Sequence, residues 1–159
     1  MNISDIIAIL AFVIPASGAV VSFILNNRRT KRQATLDAFN VLQEQALDQL
    51  NQLTKTDYQR IADARKRTKE VDPNDRNGKT RYNEIRTLLA RCEHFAVGVY
   101  TGIYDKHVVK MLTGVYLQYL FLKVSPVIDA ARSAPDGKES YQQFERLVKE
   151  LSGKNKDAI

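Results

Sequence analysis

The sequence is poor in the residues that build covalent staples and metal centres. Its single cysteine, Cys92, cannot close an internal disulfide, so the chain carries no mark of an oxidising compartment. Two histidines, His94 and His107, with one cysteine argue against a Cys/His zinc site. Catalytic motifs are missing too: there is no P-loop, G-x-G-x-x-G, H-E-x-x-H or G-x-S-x-G. Each histidine has a carboxylate nearby, Glu93 before His94 and Asp105 shortly before His107, but adjacent helical residues point about 100° apart. Capping and local hydrogen bonds account for both, and Cys92 falls on an apolar face as a small buried residue. The expectation is a protein that is not an enzyme and holds no metal or cofactor.

Charge is absent from Ile6 through Leu25, a run of 20 residues. As a helix it would reach roughly 30 Å, the thickness of a bilayer core. The small residues Ala16-Ser17-Gly18-Ala19 would suit a cleaved signal peptide. However, the first five residues carry no Lys or Arg, and Val20, Val21, Phe23, Ile24 and Leu25 continue beyond that point. A retained anchor is the better reading. Arg28, Arg29, Lys31 and Arg32 follow directly, and positive flanks stay in the cytoplasm. The N-terminus is therefore expected outside, with the remaining ~125 residues inside. The same four side chains would meet anionic head groups at the membrane surface, at about 1 kcal/mol each.

The whole chain has a net charge of +6 and a pI near 9.5. From Gln33 onward, only 20 Lys and Arg stand against 17 Asp and Glu. The basic excess is thus largely a topology signal, and a nucleic-acid polymer is not the expected partner. Within the span, Ser4, Ala8, Ala11, Pro15, Gly18 and Ser22 recur at steps of 4, 3, 4, 3 and 4. Small residues let helix backbones approach closely in lipid, so Ala11, Gly18 and Ser22 mark a candidate oligomerisation stripe.

Downstream the apolar pattern is helical. Leu36, Phe39, Leu42, Ala46, Leu50 and Leu53 recur at helical spacing. No Gly or Pro lies between Val20 and Val71, so the membrane helix is expected to run on past Arg32. Asp57 is a candidate cap for a basic segment, Tyr58 to Val71. The stretch from Asp72 to Gly78 is the clearest loop. An amphipathic helix follows from Lys79 to Tyr100, with Gly102 ending it and Asp105 capping the next, Lys106 to about Val124. The charge-free stretch Met111 to Leu122 inside that helix is too short to cross a bilayer and reads as a core helix. Pro126 is expected to start a separate short helix, Ala134 to Gly137 to form a turn, and Ser140 to cap a last helix.

No stretch alternates with period two, so no sheet is expected. The fold class is all-α: an N-terminal transmembrane helix followed by a cytoplasmic helical bundle. The expected divisions are an anchor (1–27), a basic juxtamembrane and amphipathic helix (28–54), the bundle (55–152) and a tail (153–159). Leu88, Leu89, Phe95, Tyr116, Leu120 and Phe144 are the expected core.

Two basic sets remain. Arg65 and Arg67 belong to a charged run on one helix, Arg81, Arg86 and Arg91 lie on the next, and Arg132 comes later. A solvated or membrane-facing charge run explains the first set. The six arginines are also candidates for a small anionic ligand, provided they converge from several helices.

Three segments carry a resemblance. The span followed by Arg28 to Asp37 (RRTKRQATLD), the stretch Cys92 to Asp105 (CEHFAVGVYTGIYD), and Pro126 to Arg132 (PVIDAAR) together are similar to a family of small bacterial membrane-anchored proteins known as a domain of unknown function. The resemblance covers about residues 6–150. It implies one span with a cytoplasmic helical domain, at the bacterial inner membrane, and it implies no reaction.

Two functions follow as expectations. The first is a membrane-anchored, non-enzymatic helical module that forms homo-oligomers in the lipid bilayer and engages a cytoplasmic partner. The alternative is a membrane effector of antiviral defence, CRISPR-type or other. Its cytoplasmic domain would bind an anionic nucleotide second messenger and perturb the membrane. A small hydrolase has no nucleophile or metal motif to rest on.

Overall fold

The computed structural model describes residues 3–67, 76–135 and 137–153, with side chains described for 22–64, 81–135 and 137–153. The order is α1 (Ile3–Leu42), a π-turn (Gln43–Leu47), α2 (Asp48–Gln52), α3 (Lys55–Arg67), α4 (Arg76–Tyr100), α5 (Lys106–Arg132) and α6 (Gln142–Leu151). No strand occurs among the described residues, so the fold is all-α. As expected, α1 runs unbroken through the basic cluster and enters the bundle, where Phe39, Leu42, Ala46, Leu47 and Leu50 join the core.

At Leu53 the backbone becomes extended and the helix stops. Thr54, not Asp57, then caps α3. Asp57 Oδ2 accepts from the Thr54 N–H (2.9 Å) and hydroxyl (2.7 Å), while Thr54 Oγ1 accepts from the Asp57 N–H (3.2 Å). This reciprocal pair satisfies donors that the first helical turn leaves open. The expected loop from Asp72 lies outside the described residues as far as Asp75, and Arg76, Asn77 and Gly78 are already helical.

The α4–α5 connection follows the sequence. Gly102 takes a left-handed conformation (φ +77°) that ends α4. The Asp105 carboxylate accepts from the N–H groups of His107 (2.9 Å) and Val108 (3.4 Å). Gly98 has a separate reason to be glycine: a Cβ there would collide with the Tyr104 ring. That ring folds back over the helix end and stacks on Phe95, with centroids 5.2 Å apart.

Pro126 does not start a helix; it sits inside α5. Proline cannot donate to the carbonyl four residues back, and the Ser125 hydroxyl donates to that carbonyl, Leu122 O, instead (3.1 Å). Val124, Val127 and Ile128 are fully or almost fully buried around it, and the helix continues past the proline to Arg132. Ser140 does not cap α6 either. Tyr141 precedes the helix in a left-handed conformation without a side-chain cap. The Glu93 carboxylate reaches across from α4 and accepts from the N–H groups of Gln143 (3.0 Å) and Phe144 (2.7 Å).

Leu89, Phe95, Leu120 and Phe144 are buried as expected, whereas Leu88 and Tyr116 only pack partly against the core. Leu36 is exposed despite its register. α5 is long and apolar enough to cross a bilayer by length and composition. Eleven of its side chains are buried against the other helices, which makes it the core helix of the bundle.

Contacts fix the directions. Asp105 N–H to Thr35 Oγ1 (2.7 Å), Tyr116 O–H to Leu47 O (3.4 Å) and Lys123 Nζ to Asn51 O (2.7 Å) show α5 running parallel to α1. Arg91 to Gln45, with Phe95 against Phe39, shows α4 running antiparallel to it. The loop at residues 101–105 therefore lies at the end of the bundle nearest the basic cluster.

Candidate functional site

The first candidate region is the stretch where α1 leaves the bundle. Every side chain from Ser22 to Thr30 is exposed, including Phe23 (72%) and Leu25 (55%). Arg28, Arg29 and Arg32 share one groove of this stretch with Ser22, Leu25 and Asn26. Lys31 is half-buried, close to Gly102, and Arg32 pairs with Asp105 at 3.6 Å. The four basic residues are thus brought together, two projecting outward and two leaning on the α4–α5 loop. Of the small-residue stripe, Ser22 is exposed; the side chains of Ala11 and Gly18 lie outside the described residues.

Of the arginines proposed for an anion, the three on α4 are not brought together. Arg81, Arg86 and Arg91 succeed one another by five positions, and each such step turns the helix by about 140°. Accordingly each lines a different groove: Arg81 faces α2, Arg86 the start of α6, and Arg91 faces α1. Arg91 donates to Gln45 O and Oε1, both at 3.0 Å. Arg132 pairs with Glu145 (2.7 Å) and donates to Ser140 O (3.0 Å). The side chains of Arg65 and Arg67 lie outside the described residues.

What the sequence did not indicate is the role of the π-turn. Its wide turn and the end of α2 present carbonyls that side chains from other helices satisfy: Arg91 at Gln45, Tyr116 at Leu47, Tyr58 at Leu50 and Lys123 at Asn51. A cation on the last carbonyls also suits the helix dipole. The Tyr58 hydroxyl is held far above its ordinary range by burial. Arg91 and Gln45 line an α1–α4 groove of about 390 Å³ together with Asp37, Ala38, His94, Phe95 and Tyr104. A periodicity argument finds helices, but a π-turn has no signature in it.

Cys92 is buried, and burial pushes its thiol up to about 12, so it stays protonated. His94 and His107 are exposed. Among the described residues no three His, Cys, Asp or Glu side chains gather as a metal site would require.

The sequence profile of one family, described as a domain of unknown function (DUF4760), matches residues 5–151, and the chain belongs to that family. No curated protein and no solved structure matches it.

Proposed function

We propose that this member of the DUF4760 family is a membrane-anchored, non-enzymatic helical module whose cytoplasmic bundle engages a partner. The observation that carries this reading is α1 itself: one helix joins a charge-free run to an exposed apolar and basic collar, and then to the core. Phe23, Ile24 and Leu25 are exposed apolar groups at the collar, which lipid would cover at no desolvation cost. Arg28 and Arg29 on the bundle side favour a cytoplasmic bundle. The sequence spacing of Ala11, Gly18 and Ser22 suits close helix approach between copies. Arg81, Arg86 and Arg91 lie in separate grooves, which favours a protein or lipid partner over a small anionic ligand.

The test is extraction and protection in the native membrane. The full chain should stay in the membrane pellet through alkaline carbonate, and protease outside intact cells should spare the bundle. Release by carbonate, or digestion from outside, would overturn the anchor or its orientation respectively.

A further inference from the structure

α5 has two apolar faces, and the bundle uses one. Val109, Thr113, Leu117, Leu120, Val124 and Ile128 point into the core. On the opposite side Met111 (69%), Leu112 (41%), Val115 (81%), Tyr119 (55%) and Leu122 (63%) are exposed. Leu112, Val115, Tyr119 and Leu122 follow at steps of 3, 4 and 3. That is the a/d spacing by which two helices interlock their side chains, over two heptads. No charged residue occurs from Met111 through Leu122. Lys123 is turned inward onto Asn51, and an added Cβ at neighbouring Gly114 would meet open space. The register ends at Pro126 and Asp129, which could not continue such a contact.

We propose that this face is the interface with a second copy of the chain, a parallel pairing of α5 with α5 about a two-fold axis. The same apolar row on both subunits is self-complementary under that symmetry. Direction comes from the fold: α5 runs parallel to α1. Two copies anchored in one bilayer therefore hold their α5 helices pointing the same way, with the rows at one height. This step rests on the anchor reading above. Confinement to a common membrane raises the effective concentration of the partner, which suits a row of only two heptads. The row cannot lie flat on the bilayer along its length, because it runs with the axis of the spanning helix.

Cysteine crosslinking of the full chain in native membranes tests the pairing, since Cys92 is buried and gives little background. Val115→Cys should form a disulfide-linked dimer on mild oxidation. Lys110→Cys, exposed on the same helix but outside the row, should not. Val115→Glu in a Leu122→Cys background should abolish the Leu122→Cys dimer while leaving the helical circular dichroism spectrum unchanged. A membrane-bound Val115→Cys chain that stays monomeric overturns the pairing and leaves the anchor standing. A bimane label at Val115→Cys quenched by doxyl lipids would assign the face to lipid, and overturns it equally. Should the chain fractionate as soluble, the anchor fails instead, and the same crosslink read in solution decides the pairing.

Discussion

α1 is one helix in two surroundings. From Ser22 to Thr30 all side chains are exposed, whether apolar or charged. From Thr35 to the end of α1, and on through the π-turn and α2 to Leu50, burial recurs at helical period, and Leu47 and Leu50 are fully enclosed. Both stretches are helical, apart from the π-turn at Gln43–Leu47, so helix propensity does not distinguish them. The difference lies in what each face can meet: the second half finds α4 and α5, while the first finds only what the cell supplies. α5 repeats the contrast across its own two faces. In both helices an apolar surface is left uncovered by the chain, and on these surfaces the proposed anchor and pairing rest.

The sharpest way to break this comparison is to truncate one side chain in each half. Leu47→Ala removes a fully buried side chain and should destabilise the bundle by about 2–5 kcal/mol through lost burial and the cavity left behind. Phe23→Ala should leave bundle stability within about 0.5 kcal/mol, since an exposed residue has no packing to lose. Chemical denaturation of the detergent-solubilised full chain measures both. Equal losses would mean that the collar is packed after all.

A second comparison concerns how helices begin. α3 and α5 are capped by residues adjacent in sequence, Thr54 with Asp57 and Asp105; α6 depends on Glu93 from another helix. Glu93→Ala should cost about 1–2 kcal/mol, the upper range for losing a helix cap. Its signature should be local, with the amides of Gln143 and Phe144 exchanging faster with solvent than those of α5. Unchanged exchange at those two amides would show that α6 starts without the carboxylate.

That contrast also explains which parts of the fold were legible in the sequence. Gly102 and Asp105 act within a few residues, so their spacing announced the α4–α5 turn. Thr54 and Asp57 are equally local, but the acid by itself marks a start at Tyr58, and only its pairing with Thr54 sets the start of α3 at Lys55. Pro126 points to a helix start because proline favours the first helical turn; the Ser125 hydroxyl and the core around Val127 overrule that preference. Glu93 capping α6 spans 50 residues and leaves no trace in any local window. The basic collar was legible for the same reason as the turn, four charges side by side. The arginines were not, because whether they converge depends on which helix each one faces. The apolar row of α5 was visible only as a charge-free stretch; its division into buried and exposed faces required the packing.

The smallest effect separates the halves by charge. Glu145 is held below its ordinary carboxylate range by its bond to Lys149 first and by Arg132 next, with burial opposing both. Asp57 is lowered in the same direction by its bonds to Thr54. A carboxylate whose folded pKa is depressed contributes its full stability above its unfolded pKa, near 4.3 for Glu, and loses it as pH falls through the folded value. The bundle should therefore hold a constant melting temperature from about pH 7 to pH 5 as far as these groups are concerned, then decline. Residues 22–30 contain no carboxylate, so that stretch adds nothing to the decline. Glu145→Gln should lower neutral-pH stability by about 1 kcal/mol, because the Lys149 pair is largely exposed and weak and the partly buried Arg132 keeps its bond to Ser140 O. It should also flatten the acid limb of the melting curve relative to the unsubstituted chain. Two limbs of equal slope would show that the ion pairs on α6 do not hold Glu145 in its charged form, and that acid acts on the bundle through its other carboxylates.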